Sequence, residues 1–154
     1  MLKLAKLDGA GYDANTLEVL SSLQYNLLGE EASVSQDKKF IEDAKEIIEL
    51  ACGKESVLSD DAAGVCAIMC QNGESAENIK VALKLCTTND GKVDTKLSEV
   101  FWNMGVQRAS LDEIQKVFGV CKNQDNTVNH NNADMIISLF DSGYSKDKIL
   151  ALIK

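Results

Sequence analysis

The sequence predicts an all-α fold, and three observations carry that expectation. Apolar residues recur at a constant interval of 35 residues: Ala44, Ile79, Ile114 and Ile149 form one series, and Ile47, Ala82, Val117 and Leu152 another. Within each interval the apolar residues follow the i, i+3, i+4, i+7 spacing of a helix with one buried face. The 154 residues contain no proline, so no segment is barred from continuing as helix. Turns then fall to Gly, Asn, Asp and Ser. An apolar period of this size is the signature of one helical supersecondary unit used several times. The expected architecture is tandem helical-hairpin repeats of 35 residues, about eight helices in one compact domain over residues 1–154.

Two helix types alternate. The first, type B, opens on a serine and then turns apolar. Ser75 leads to Ile79, Ala82, Leu83 and Cys86; Ser110 leads to Ile114, Val117, Phe118 and Cys121; Ser145 leads to Ile149, Leu152 and Ile153. A serine hydroxyl accepts from the unpaired N–H two or three residues on, and Ser110 with Glu113 has the spacing of a capping box. The second, type A, carries Leu58, Ala62, Val65, Cys66 and Met69, repeated as Val93, Leu97, Val100, Phe101 and Met104. The third copy slips by one residue, with Val128 followed by Ala133, Ile136, Ile137 and Phe140, and loses it again before Ser145.

Polar loops of six residues join B to A at Cys52–Val57, Thr87–Lys92 and Lys122–Thr127. Short turns join A to B, with Gly73 and Gly143 at matching places as helix stops. The middle copy has Arg108 there and must turn without glycine. Residues 36–52 read as a longer B helix. Residues 1–35 read as an irregular N-terminal helical cap, with Leu4 and Leu7 ending one helix, 13–28 a B-type helix, and Gly29–Ser35 a loop. Residues 36–154 are the regular repeats.

Net charge is −8, with 11 acidic and 6 basic groups in residues 1–56. That balance argues against binding nucleic acid or an anionic membrane. No apolar run reaches the roughly 20 residues of a membrane span, and Met1–Asp8 lacks the apolar core of a secretory leader. Five cysteines without paired spacing read as reduced thiols. A cytoplasmic protein is expected.

The stretch Cys86-Thr87-Thr88-Asn89-Asp90-Gly91-Lys92-Val93-Asp94 and the corresponding Cys121–Asn129 place a helix before a short polar loop and another after it. With the helices around them, over roughly residues 36–142, they resemble the EF-hand family, in a degenerate form; a generic αα-hairpin array has the same outline. The resemblance implies a pair of helices presenting a groove to a target peptide. It does not imply calcium: the loop's first position, which needs an oxygen ligand, is Cys86 or Cys121, and its twelfth, which needs a bidentate acid, is Leu97 or Asn132. Only the fifth place carries a correct carboxylate, Asp90 and Asp125, with Glu55 there in the first copy.

No catalytic, cofactor-binding or metal-ligating set emerges, so none is assigned and no enzyme activity is expected. Cys66 and Cys70 share a helix face but have no second ligand pair. Cys86 and Cys121 take the place of Ala51, which marks them as packing residues. His130 stands alone in a polar run. The candidate partner-binding residue is Trp102, beside the A stripe rather than in it, where Ala67 and Ser138 stand in the other copies. It either packs on the neighbouring repeat or anchors a partner. The expected function is a non-enzymatic interaction or scaffold module that binds another protein, a basic one being the kind its acidic N-terminal half would meet. The alternative is an EF-hand-like protein that binds a target peptide without calcium.

Overall fold

In the computed structural model of the chain, residues 14–28, 34–53 and 57–153 are described. They form eight helices and no strand: α1 (Ala14–Leu28), α2 (Val34–Cys52), α3 (Asp60–Gln71), α4 (Ala76–Cys86), α5 (Thr95–Val106), α6 (Leu111–Cys121), α7 (His130–Asp141) and α8 (Lys146–Leu152). The expected helix end at Leu4 and Leu7, and loop residues 29–33, lie outside the described residues; Val34 and Ser35, expected in that loop, instead open α2.

Side-chain caps start the helices where the sequence places them. Ser75, Ser110 and Ser145 each accept from the backbone N–H three residues on, and Ser110 with Glu113 closes the full capping box. Ser59, Asp94 and Asn129, again 35 residues apart, do the same for α3, α5 and α7. Each such cap stabilises its helix by about 1 kcal/mol.

The ends are equally uniform. After α3 the Glu74 N–H reaches the Met69 carbonyl and the Gly73 N–H the Cys70 carbonyl; Ala109 and Arg108 repeat this after α5, and Tyr144 and Gly143 after α7. These are Schellman turns, which need one left-handed residue. Gly73 (φ 72°) and Gly143 (φ 91°) supply it without strain, whereas Arg108 is held at φ 56°. Arg108→Gly is therefore expected to raise stability by about 0.5–1 kcal/mol, the relief of a left-handed side chain less the added freedom of the unfolded chain. A higher urea midpoint at unchanged slope would register it.

The helices lie in two rows. Row A holds α1, α3, α5 and α7, row B holds α2, α4, α6 and α8, and each helix packs on its row neighbours and on the helices adjacent in sequence. Between the rows run the matched apolar positions. Ala44, Ile79, Ile114 and Ile149 are all fully buried or nearly so, as are Leu97, Val100, Phe101 and Met104 in α5. Phe101 and Phe118 join α5 to α6 edge to face at 6.3 Å. Leu152 departs from its series: Ile47, Ala82 and Val117 are buried, whereas Leu152 is 60% exposed. Among the described residues, α8 packs chiefly on α6 and α7.

One sequence expectation is corrected. Residues 13–28 were expected as a type B helix, yet α1 packs side by side with α3 and heads row A. Its buried residues Thr16, Val19, Leu20 and Leu23 have the spacing of Ala62, Val65, Cys66 and Met69. The A stripe is there, displaced by 46 residues instead of 35.

Row A is the tighter row. Gly105 of α5 sits so close to α3 that a Cβ there would lie 2.6 Å from the Ile68 side chain. The α3–α5 and α5–α7 pairs accordingly pack more extensively than α4–α6 and α6–α8.

Polar links cross between neighbouring helices of each row and between successive turns and loops. Asn72 Nδ2 donates to the Gly105 carbonyl at 2.8 Å, and Asn26 Nδ2 to the Glu74 carbonyl at 2.8 Å. The Lys146 N–H, at the start of α8, donates to Gln107 Oε1 at 2.7 Å. In row B, the largely buried Lys80 of α4 meets Asp43 Oδ1 of α2 at 2.9 Å, together with Glu46 and Glu77. Lys39 holds the other Asp43 oxygen at 3.0 Å.

Candidate functional site

Trp102 projects from α5 on the outer side of row A and is 42% exposed. Its ring lies over Gly64 of α3, where an added Cβ would stand 3.9 Å from Cε3. That is an ordinary van der Waals distance, so the indole lies across α3 with room for a methyl group beneath it. Ala63 and Ala67 continue the same low floor.

Two grooves flank the ring. One, about 290 Å³, runs between α3 and α5 and is lined by Asp60, Asp61, Gly64, Thr95, Ser98, Glu99 and Trp102. The other, about 240 Å³, runs between α1 and α3, where Asn15, Glu18, Val19 and Ser22 face Asp60, Ala63, Gly64, Ala67 and Trp102. No lysine, arginine or histidine lines either groove. Lys96, the cation on this stretch of α5, is turned to Asp134 of α7 at 2.7 Å.

Local chemistry fixes the carboxylates. Asp60 and Asp61 occupy the first turn of α3, where the helix dipole favours negative charge. Asp60 Oδ1 accepts from Asn15 Nδ2 at 2.7 Å. Asp61 accepts from the Thr95 hydroxyl at 2.7 Å and the Ser98 hydroxyl at 3.2 Å, one on each oxygen. Those bonds tie α1 to α3 and α3 to α5, so the groove walls are braced. Each carboxylate oxygen has a second lone pair for a further donor.

Trp102 rests against the neighbouring helix over Gly64 and leaves part of its ring in solvent. The sequence reading gave no role to Gly64, Asp60, Asp61, Glu18 or Glu99. A glycine four residues past the Ser59–Asp60 helix start was the available signal, but only the packing of α5 on α3 shows what lies over it.

The cysteines lie elsewhere. Cys66, Cys86 and Cys121 are buried in the core and none of the five forms a disulfide. Burial pushes the Cys70 and Cys121 thiols up to about 11, and Cys66 and Cys86 higher still. A thiol held protonated at neutral pH is a poor nucleophile and a poor metal ligand. His130 is exposed at the start of α7. Among the described residues no three His, Cys, Asp or Glu side chains gather to hold a metal ion. No described helix is long and apolar enough to cross a membrane.

The two polar loops are closed on themselves. Asp90 Oδ1 accepts from the Thr88 hydroxyl at 2.7 Å and the Lys92 N–H at 3.0 Å, and Asp125 Oδ1 accepts likewise from Thr127. Those bonds hold both carboxyls below the usual carboxylate range. The loops stack through Asn89 Nδ2, which donates to the Asp125 carbonyl at 2.8 Å. Asp90 and Asp94 in the first loop, each with an oxygen already committed, and Asp125 alone in the second are too few to replace a calcium ion's water. Calorimetric titration with calcium is expected to give no binding heat at millimolar concentration; a saturable heat would contradict this.

In comparisons with protein families, with curated proteins and with solved structures, the chain matches none.

Proposed function

We propose that the chain is a non-enzymatic helical-repeat module that binds another protein along the outer face of row A. The observation that carries this reading is Trp102: a large aromatic side chain, half exposed, braced over a glycine and set between two grooves. Tryptophan at such a position is the residue type most enriched among binding hot spots. The grooves span three helices of one row, which is how stacked helical units build an extended recognition surface. The burial of matched residues at 35-residue intervals supports the repeat description, with α1 as a displaced first unit.

The test is partner capture by the wild type, by Trp102→Ala, and by Gln115→Ala, an exposed row B control. Capture lost only in Trp102→Ala, with its urea midpoint close to wild type, is the expected result. Capture by all three alike would remove the assignment.

A further inference from the structure

We infer that the two grooves beside Trp102 receive two cationic side chains of one basic protein segment, with arginine preferred to lysine. The inference rests on the reading of row A as a protein-binding face and specifies its ligand. Each groove offers the same pair of partners: the indole ring on one side and carboxylates on the other. Glu18 and Asp60 serve the groove at α1, and Asp61 and Glu99 the groove at α5.

A cation over an indole face is attracted by the ring's quadrupole, and tryptophan is the best aromatic for it. A planar guanidinium also stacks on the ring while its fork of N–H donors meets a carboxylate edge; an ammonium keeps the attraction to the ring but has no plane to stack and no fork to match the carboxylate. Four carboxylates with no cation among the lining residues repel one another, and two incoming positive charges relieve that repulsion. An acidic peptide, a nucleic acid or an anionic lipid would add to it. The low floor of Gly64, Ala63 and Ala67 leaves space for aliphatic stems.

Trp102 is the only tryptophan in the chain, so its fluorescence reports on the site directly. The first measurement titrates the protein with hexa-arginine, hexa-lysine and hexa-glutamate. Hexa-arginine is expected to shift Trp102 emission saturably, hexa-lysine more weakly, and hexa-glutamate not at all. The double variant Glu18→Gln/Glu99→Gln, which alters two exposed residues and keeps the fold, should weaken hexa-arginine about fivefold. Absence of an emission change, or equal affinity in the double variant, would overturn the inference.

The second measurement selects a random displayed peptide library on wild type and on Trp102→Ala. Arginine-rich binders that require Trp102 support the inference. Binders that require Trp102 but carry no excess of basic residues overturn it and leave the binding face standing. If no selected peptide depends on Trp102, both readings fall.

Discussion

Replacing Lys80 with alanine is expected to destabilise the protein by about 2–3 kcal/mol, the cost of leaving a buried carboxylate with only one of its two cations. The side chains of Lys80 and Asp43 are each only 11% exposed, and their contact at 2.9 Å fastens α2 to α4. Without the ammonium, Asp43 keeps Lys39 alone, whose own side chain is largely in water. Glu46 and Glu77, more than half exposed, lose little by comparison. The double variant Asp43→Leu/Lys80→Met should recover much of the loss, because an apolar pair of similar volume leaves no orphan charge. Urea denaturation of the three proteins at pH 7 measures both statements.

The sign of the pH dependence follows from the same network. Burial alone would raise the Asp43 carboxyl, but Lys80 and Lys39 outweigh it and hold it below its usual range. A carboxyl depressed in the folded state stabilises above its unfolded pKa, about 3.9, and that contribution fades as pH falls through the lower folded value. Lys80 is shifted upward by its three carboxylates against the effect of burial, so it stays charged throughout the neutral range. The gap between wild type and Lys80→Ala should therefore be widest near neutrality and shrink below about pH 4. A gap that widened on acidification would reject this account.

Gly105→Ala is expected to cost about 1–3 kcal/mol, the usual penalty for overfilling a packed contact. In an ordinary helix interior the same change would stabilise by roughly 1 kcal/mol. Here the new methyl would meet Ile68, itself almost fully buried, at 2.6 Å. Either Ile68 leaves its position or α3 and α5 separate. The combination Gly105→Ala/Ile68→Ala removes the Ile68 Cγ1 and Cγ2 atoms that the new methyl would meet, and should lose less stability than the two single changes summed. Thermal unfolding of the single and double variants gives the coupling between the two sites. Additive losses would mean that the helices are not in the close contact described.

Much of this fold was legible from the residues alone, for identifiable reasons. A serine followed by an acid and then an apolar stripe has few alternatives to a helix start, so Ser75, Ser110 and Ser145 fixed the B helices closely. Cysteine in register with Ala51 foretold that Cys86 and Cys121 fill space in the core. The row of α1 was missed because a search at a fixed interval passes over a copy displaced by 46 residues. The Asp43–Lys80 pair was missed because charges on a B helix read as solvated until the neighbouring helix is placed. At the candidate site, Trp102 stood out as an aromatic side chain beside the stripe. Its neighbours did not, since Gly64, Glu18 and Asp60 come together only through the packing of α1, α3 and α5.

Every substantial pairing of helices joins elements one or two places apart along the chain. Folding therefore closes only short loops, at little entropic cost, and can spread outward from whichever hairpin forms first. The same locality removes any distant clasp. α8, seven residues long, packs on α6 and α7 less extensively than α1 packs on α2 and α3, and is the natural starting point for fraying. The binding face proposed on α1, α3 and α5 is shielded from that end by α6 and α7, which pack between α5 and α8.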